Sequence, residues 1–321
     1  MTMLMGGFSA ATQSNAQTLS QDITVEMFPA NPGPGERTIL SASSINIDLT
    51  RTEIVWSTDG KVANRGTGMT TFTLNAPVVG KEVRVDVSAK TTTGTIIKTF
   101  TIRPAGVEIL WHSHGHAPPL YPGKILHTSE TLITATAMPH FILRGVPLSA
   151  ASLFYEWRVQ DKPLTGQSGL GKQTITFKGS MLFSKDVLHV EVSTKDKTLI
   201  GESTVTINTV PPQIVFYEDD PLSGTRYEQA LSGSYFLSKP ELTVRAEPYF
   251  FSKQELESAE ASQVWTINGS VLASDPEFSR AVTLRQTGGS GEATLSYAIT
   301  ASRAALQEAR KAFTIFFGQS Q

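Results

Sequence analysis

The chain has 321 residues, of which 40% are hydrophobic and 17% charged, and its formal net charge is −2. This length suits about two or three domains with sizeable cores. The near-neutral charge offers no basic stripe for nucleic acid, and no stretch reaches the roughly 18–20 apolar residues of a transmembrane helix. Because there is no cysteine, disulfides, thiol nucleophiles and cysteine-ligated metals are excluded.

The first 20 residues are expected to lie outside the fold. Ser14-Asn15-Ala16 has the spacing of a signal-peptidase site and follows a weakly apolar run at 3–11. The first basic residue is Arg37, so the basic start of a signal peptide is missing. Residues 1–20 are therefore either a disordered leader or the end of a signal peptide that begins upstream.

Three tryptophans, Trp56, Trp157 and Trp265, recur about a hundred residues apart, and similar patterns surround each of them. A short turn follows each tryptophan, and a strand of alternating apolar residues and its partner come later. Such period-2 alternation predicts two half-buried strands joined as the last hairpin of each module. The last residue of each alternating set lies 15 or 16 positions before Ile102, Ile207 or Ile315, and this spacing makes the three sets equivalent. The sets are Val83, Val85 and Val87; Leu188, Val190 and Val192; and Leu295, Tyr297 and Ile299.

The front halves of the modules are also similar. Residues 45–49, 132–136 and 242–246 are each predicted to form an early strand that leads to the tryptophan strand. Pro104 and Pro211-Pro212 stand where modules should end, since proline cannot donate to a strand ladder. The predicted domains are residues 21–104, 105–210 and 211–318.

These elements predict an all-β chain of three tandem immunoglobulin-like β-sandwich domains with short helical turns. Each tryptophan would fill the space between two sheets. The modules resemble bacterial immunoglobulin-like or PKD-like repeats, and residues 22–318 resemble multi-domain surface proteins of candidate-phyla bacteria through phrases such as IVWSTDGK, FYEDDPLSGTRY and AEPYFF. This resemblance implies export and extracytoplasmic display, and it supplies no activity.

Two segments have helical features. Ser252 and Glu255 form a capping-box pattern before good helix formers, which predicts a helical turn over 253–260. Residues 303–313 favour a helix by propensity, but the repeat places them across the last hairpin. We follow the repeat and expect at most a helical turn around 303–310.

His112, His114 and His116 form a His-x-His-x-His pattern. Alternate side chains of an extended segment fall on one side, so three imidazoles could converge on zinc, copper or nickel. His127 or Glu108 could add a fourth ligand. The alternative is that these are exposed loop histidines whose affinity for metal is incidental.

An acidic run, Glu218-Asp219-Asp220, precedes a turn sequence in the third module. Clustered carboxylates offer the oxygen ligands that Ca²⁺ requires, which makes calcium a second metal hypothesis. The spacing matches no defined calcium loop, and the alternative is a solvated turn.

Three consecutive aromatics, Tyr249, Phe250 and Phe251, are the predicted partner-binding residues. Successive strand side chains alternate faces, so at least one should be exposed or covered by the adjoining helical turn. Exposed aromatics suit a protein interface or a sugar-stacking platform. The alternative is that they staple the 253–260 turn onto the sandwich.

No catalytic motif is recognisable. We therefore predict a non-enzymatic, extracytoplasmic structural, adhesive or surface-assembly protein of a bacterium, whose partners are other surface or envelope proteins or a glycan. One alternative is a glycan- or peptide-binding module that uses the aromatics of the third domain. Another is a metal-binding protein that uses the histidine loop.

Overall fold

The structure is a computed structural model that describes residues 22–92, 94–181, 184–258, 260–273, 280–304 and 306–318. The leader predicted for residues 1–20 lies outside the described residues. The described part of the chain is almost entirely strand and turn, with one short α-helix. The all-β class is confirmed.

The first sandwich packs a three-stranded sheet, in the order β1-β2-β5, against a four-stranded sheet, β4-β3-β6-β7. A 3-10 turn, Leu49–Arg51, precedes the tryptophan strand β3. The described strands of this sandwich are β1 Thr24–Phe28, β2 Arg37–Ser43, β3 Glu53–Thr58, β4 Lys61–Thr67, β5 Thr71–Asn75, β6 Val83–Thr91 and β7 Gly94–Ile102.

The second sandwich repeats this plan with sheets β8-β9-β15 and β13-β12-β16-β17, where β14 also pairs with β12. Its 3-10 turns are Ala150–Ser152 and Thr165–Gln167. The described strands are β8 Gly106–Ser113, β9 Leu132–His140, β10 Ile142–Leu143, β11 Val146–Pro147, β12 Phe154–Val159, β13 Lys162–Pro163, β14 Gly169–Leu170, β15 Thr174–Lys178, β16 Lys185–Ser193 and β17 Ile200–Asn208.

The third sandwich has sheets β19-β18-β21-β24 and β20-β26-β25-β22-β23, in which β20 runs parallel to β26. Its described elements are β18 Gln213–Asp220, β19 Gly224–Leu231, β20 Ser234–Leu237, β21 Glu241–Tyr249, α1 Lys253–Leu256, β22 Ser262–Ile267, β23 Ser270–Val271, β24 Ala281–Arg285, β25 Gly291–Thr300 and β26 Glu308–Phe317.

The three tryptophans are fully buried on equivalent strands, β3, β12 and β22. The indole N–H of Trp56 donates to the carbonyl of Met69 (2.8 Å), and that of Trp157 to the carbonyl of Lys172 (2.9 Å). A buried N–H without an acceptor would be destabilising, so these bonds allow the large ring to occupy the core. The prediction that each tryptophan lies between two sheets is confirmed.

The predicted register between the modules needs a correction of two residues. Trp56 lies opposite Val87, Trp157 opposite Val190, and Trp265 opposite Tyr297. Val87 is therefore equivalent to Val190 and Tyr297, and not to Val192 and Ile299. The apolar pattern failed because the first module has the small residue Ala89, fully buried, at the position of Val192, while the second has Asp186 at the position of Val83.

The early strand predicted at 45–49 is wrong, whereas those at 132–136 and 242–246 are confirmed within β9 and β21. In the first module this strand is β2, and Ile45 is fully exposed beyond its end. Asp48 accepts hydrogen bonds from the backbone N–H and hydroxyl of Thr50. Such local side-chain bonding competes with a ladder and favours a turn.

The helical turn predicted after β21 is confirmed as α1, although it extends only over Lys253–Leu256. The predicted capping box is wrong, because the Ser252 side chain makes no capping hydrogen bond. Glu255 instead accepts from the backbone N–H of Arg303 (3.2 Å). Strand β26 begins at Glu308, so the repeat prevails over the helix propensity of the preceding residues.

The chain divides into two compact units between Ala105 and Gly106. The second and third sandwiches belong to one unit, and the segment between their strands runs from the end of β17 at Asn208 to the start of β18 at Gln213. None of the described helices is long and apolar enough to cross a membrane.

Candidate functional site

The loop after β8 and the segment after β21 pair with each other through their backbones. Gly115 and Ser252 form an antiparallel bridge. The N–H of His116 donates to the carbonyl of Phe251 (2.6 Å), and the N–H of Phe250 donates to the carbonyl of His116 (2.7 Å). We call this contact between the second and third sandwiches the joint. It brings together the histidine motif and the aromatic segment, which the sequence presents as separate sites.

Close approach of the two backbones depends on local geometry at Gly115 and Phe250. A Cβ on Gly115 would lie 2.9 Å from Cγ2 of Ile125 and 3.1 Å from the carbonyl oxygen of Phe250. Phe250 has a φ of 67°, in the left-handed region that is unfavourable for an aromatic residue. The buried hydroxyl of Thr128 donates to its carbonyl (2.7 Å), so a residue of the second sandwich holds this conformation.

A fully buried glutamine joins the two sandwiches through its side chain. Nε2 of Gln307 donates to the carbonyl of Ser129 (2.7 Å) and to the hydroxyl of Thr131 (2.8 Å). Its Oε1 accepts from the backbone N–H of Ser252 (2.7 Å). Both ends of the amide are therefore satisfied, which buried polar groups require.

A buried carboxylate in the joint, that of Glu247, contacts side chains of both sandwiches. Glu247 is only 3% exposed, and its Oε2 lies 3.4 Å from Nε2 of His116. The hydroxyl of Tyr227 donates to Oε1 (3.1 Å), and the guanidinium groups of Arg245 and Arg280 lie 3.7 and 3.8 Å away. Burial alone raises the pKa of Glu247, but its bond to His116 and the charge of Arg280 outweigh that effect, and the pKa lies below its ordinary value.

The three predicted partner-binding aromatics are placed in and beside the joint. Phe251 is 1% exposed and belongs to the core of the third sandwich, and Phe250 is 6% exposed. The ring of Tyr121, from the second sandwich, packs edge-on against Tyr249 and Phe250, with centroids 5.7 and 6.0 Å apart. The cover over Tyr249 and Phe250 thus includes a ring of the preceding sandwich. Their binding to a separate partner stays a prediction.

The structure splits the three predicted metal ligands into two groups. His112 and His114 are exposed, with ring centroids 5.0 Å apart, while His116 turns into the joint. His127, a suggested fourth ligand, is buried, and the other, Glu108, is exposed on β8. Among the described residues, no three His, Asp or Glu side chains converge as metal ligands. Metal binding by these residues stays a prediction.

The acidic run lies at the end of β18, and each carboxylate has a partner. Glu218 pairs with Lys239 (2.6 Å), and Asp219 pairs with Arg245 (3.2 Å). Asp220 accepts from two backbone N–H groups of the following turn, at 2.9 and 3.0 Å. The oxygens are thus used in ion pairs and turn hydrogen bonds, and calcium binding stays a prediction.

One buried polar pair was missed at the sequence level. Nε2 of His127 lies 3.4 Å from Oδ2 of Asp186, and both side chains are at most 1% exposed. Asp186 occupies the register position that Val83 and Ala293 hold in the other sandwiches. Gly179 leaves room for the imidazole, since a Cβ there would lie 2.3 Å from the ring. The signal that could have revealed the pair is an acidic residue in phase with the inward apolar positions of β16.

The fold and the joint define a protein of tandem immunoglobulin-like β-sandwich modules. No family model and no curated protein matches the chain. Among solved structures, a central fibronectin-III array of RIM-binding protein is 11% identical, with a TM-score of 0.30, and the match covers 94% of this chain and 97% of that one.

Two further solved structures are similar to the chain. Three N-terminal domains of the outer capsid protein Hoc of bacteriophage RB49 are 10% identical, with a TM-score of 0.26 and coverage of 94% of this chain and 100% of that one. Fibronectin(III)-like modules of CbhA from Clostridium thermocellum are 12% identical, with a TM-score of 0.27 and coverage of 58% and 94%. At these identities and TM-scores, the likeness implies no shared function.

Proposed function

We propose that the chain is a non-enzymatic structural, adhesive or assembly protein of a bacterial surface, displayed outside the cytoplasm. Its action is presentation: the second and third sandwiches hold a partner-binding face in a fixed orientation. The observation that carries this proposal is the buried amide of Gln307, which bonds Ser252 of its own sandwich and Ser129 of the other.

The chemistry of the joint supports a structural role. Its polar side chains are matched to one another: Gln307 with backbone and hydroxyl groups, and Glu247 with Tyr227, His116 and two arginines. Such satisfied buried networks rigidify and specify one arrangement. A fixed arrangement reduces the ordering cost when a partner binds across both modules.

Display can be tested with a single-cysteine variant, because the natural chain has no cysteine. Ser270→Cys places a thiol at an exposed position on β23. Intact source cells that express this variant should react with a membrane-impermeant maleimide, and cells that express the unchanged chain serve as the control. Labelling that occurs only after lysis would contradict extracytoplasmic display.

The presentation step needs its own test. In-cell cross-linking through the thiol of the Ser270→Cys variant should yield one adduct with another envelope protein or an envelope glycan. Because loosening the joint disperses the presented face, Gln307→Ala in the Ser270→Cys background should lower the yield of that adduct. A yield that is unchanged, or an adduct pattern that is indistinguishable from random neighbours, would count against presentation.

A second candidate function, glycan binding, is favoured by a stacked aromatic pair on the third sandwich. Phe236 on β20 is 59% exposed and stacks on Phe316 of β26, with centroids 5.1 Å apart and planes 20° apart. The exposed ring of Phe236, held in place by the half-buried ring of Phe316, suits stacking against a sugar. A glycan array should show a ligand that Phe236→Ala loses. Phe28→Ala is the matched control, since Phe28 is 75% exposed in the first sandwich.

A further inference from the structure

We propose that His112 and His114, without His116, form a two-histidine site for a divalent transition metal, with Cu²⁺ bound more tightly than Ni²⁺ or Zn²⁺. The site lies on the second sandwich and is independent of the proposed function. It needs no partner, no other module and no change in the fold.

Strand geometry places the two imidazoles together. His112 is the penultimate residue of β8, an edge strand of its sheet, and His114 follows it after Ser113. Ser113 is buried while both histidines are exposed, as expected when alternate residues point to opposite faces. The two rings therefore share the solvent side, with planes tilted by 37° and centroids 5.0 Å apart.

This separation fits a shared metal ion. A metal–nitrogen bond of about 2.0–2.1 Å places the ion roughly 3 Å from the centroid of each ring. Two such arms that meet at a near-tetrahedral angle span about 5 Å between centroids. The observed 5.0 Å between the ring centroids of His112 and His114 therefore matches the spacing of two imidazoles that share one ion.

A chain of hydroxyls orients one of the ligands. Nε2 of His114 lies 2.8 Å from Oγ1 of Thr134 on β9, and that hydroxyl lies 3.0 Å from Oγ1 of Thr176 on β15. The bond leaves Nδ1 of His114 for a metal. Hydrogen bonding of the second ring nitrogen is the usual way in which proteins fix the orientation of a histidine ligand.

His116 is excluded by its place in the joint. The backbone N–H and carbonyl of His116 both form hydrogen bonds with the aromatic segment, and its ring lies 3.4 Å from the buried carboxylate of Glu247. The site therefore has two protein ligands, and water or an added ligand completes the coordination. Neutral nitrogen donors favour copper, nickel and zinc over magnesium and calcium, and the order of affinity for divalent ions peaks at copper.

The test is a titration of the full chain, without a polyhistidine tag, with CuCl₂, NiCl₂ and ZnCl₂ in turn. We expect one equivalent of Cu²⁺ to bind most tightly, and the electron paramagnetic resonance spectrum to show two nitrogen ligands. Thr134→Val, which keeps both ligands but removes the hydrogen bond to His114, should weaken Cu²⁺ binding by about tenfold. His112→Ala and His114→Ala, which each remove a ligand, should weaken it more than Thr134→Val does.

His140→Ala is the matched control, because His140 is an exposed histidine at the end of β9, and it should bind Cu²⁺ as the unchanged chain does. Circular dichroism of each variant separates loss of ligand from loss of fold. The proposal is overturned if the double variant of His112 and His114 binds Cu²⁺ as tightly as the unchanged chain, or if His140→Ala weakens binding equally. Weaker binding of Cu²⁺ than of Zn²⁺ would also overturn it.

Discussion

The side-chain amide of Gln307 donates a 2.7 Å hydrogen bond to the carbonyl of Ser129, which lies 178 residues earlier in the chain. The same side chain accepts from the backbone N–H of Ser252. Gln307 directly precedes the last strand of the third sandwich, and its side chain thus bonds a backbone carbonyl in a loop of the second sandwich. The second and third sandwiches are therefore joined by specific bonds as well as by the chain.

Replacement of Gln307 should weaken the joint selectively. Gln307→Ala leaves the buried N–H of Ser252 without a partner and removes a bond from the half-buried carbonyl of Ser129, and we expect a loss of about 1–3 kcal/mol in the free energy of unfolding. Hydrogen exchange should show faster exchange of the Ser252 amide, and denaturant unfolding should give the energy. Gln229→Ala, at an exposed position on β19, should change neither. Equal exchange in both variants would contradict a role of Gln307 in the joint.

Gly179 is predicted to be essential for the buried His127. The added Cβ of Gly179→Ala would lie 2.3 Å from Cε1 and Nε2 of that ring. Since the ring is fully buried, it cannot move into solvent, and overpacking should destabilise the unit by about 1–3 kcal/mol. The double variant with His127→Ala should recover part of the Gly179→Ala effect, because the clash is gone. Strictly additive effects in urea unfolding would rule this contact out.

Two glycines at equivalent places in the repeat should respond alike. Gly68 has a φ of 72°, and its added Cβ would lie 2.7 Å from the carbonyl oxygen of Thr50; Gly171 has a φ of 68° and would meet Ala151 at 3.2 Å. Gly68→Ala and Gly171→Ala should each cost more than about 1–2 kcal/mol, the left-handed penalty alone. Gly145→Ala isolates that penalty, because its φ is 80° in open space. If thermal unfolding shows that Gly145→Ala is the most destabilising of the three variants, the clashes with Thr50 and Ala151 do not contribute to the loss of stability.

The joint should weaken in acid because of Glu247. Its pKa is lowered in the folded chain, whereas an unfolded glutamate titrates near about 4.3. A carboxyl with a depressed folded pKa stabilises the fold above its unfolded pKa, and the contribution is lost as the pH falls through the folded value. Unfolding free energy measured downward from about pH 5 should thus fall less steeply in Glu247→Gln than in the unchanged chain. Glu257→Gln, which removes an exposed carboxylate just after α1, is the matched control.

Much of each sandwich was predictable, because its signals are local and repeated. Trp56, Trp157 and Trp265 are large apolar residues in alternating segments, and their burial follows from periodicity alone. Ile45 shows the limit of that reasoning. It alternates with Ser44 and Asn46 like a strand, yet Asp48 diverts the backbone into a 3-10 turn.

The joint could not be predicted, because its contacts connect residues that are distant in sequence. His116 resembles the two histidines before it, and only the position of Glu247, 131 residues away, separates it from them. Gln307 lies in a segment that favours a helix, where a glutamine carries no signal of burial. The alternation of strand faces predicts that at least one of the three aromatics is exposed or covered by the helical turn, but the ring that packs on Phe250, Tyr121, belongs to another sandwich.

The backbone pairing of His116 with Phe250 and Phe251 has a mechanical consequence. Tension along the chain that crosses Pro211-Pro212 does not load that short segment alone, because the paired backbones and the Gln307 amide connect the same two bodies alongside it. Bonds that share a load in parallel break together. The second and third sandwiches should therefore stay joined under tension until these bonds fail in a single step.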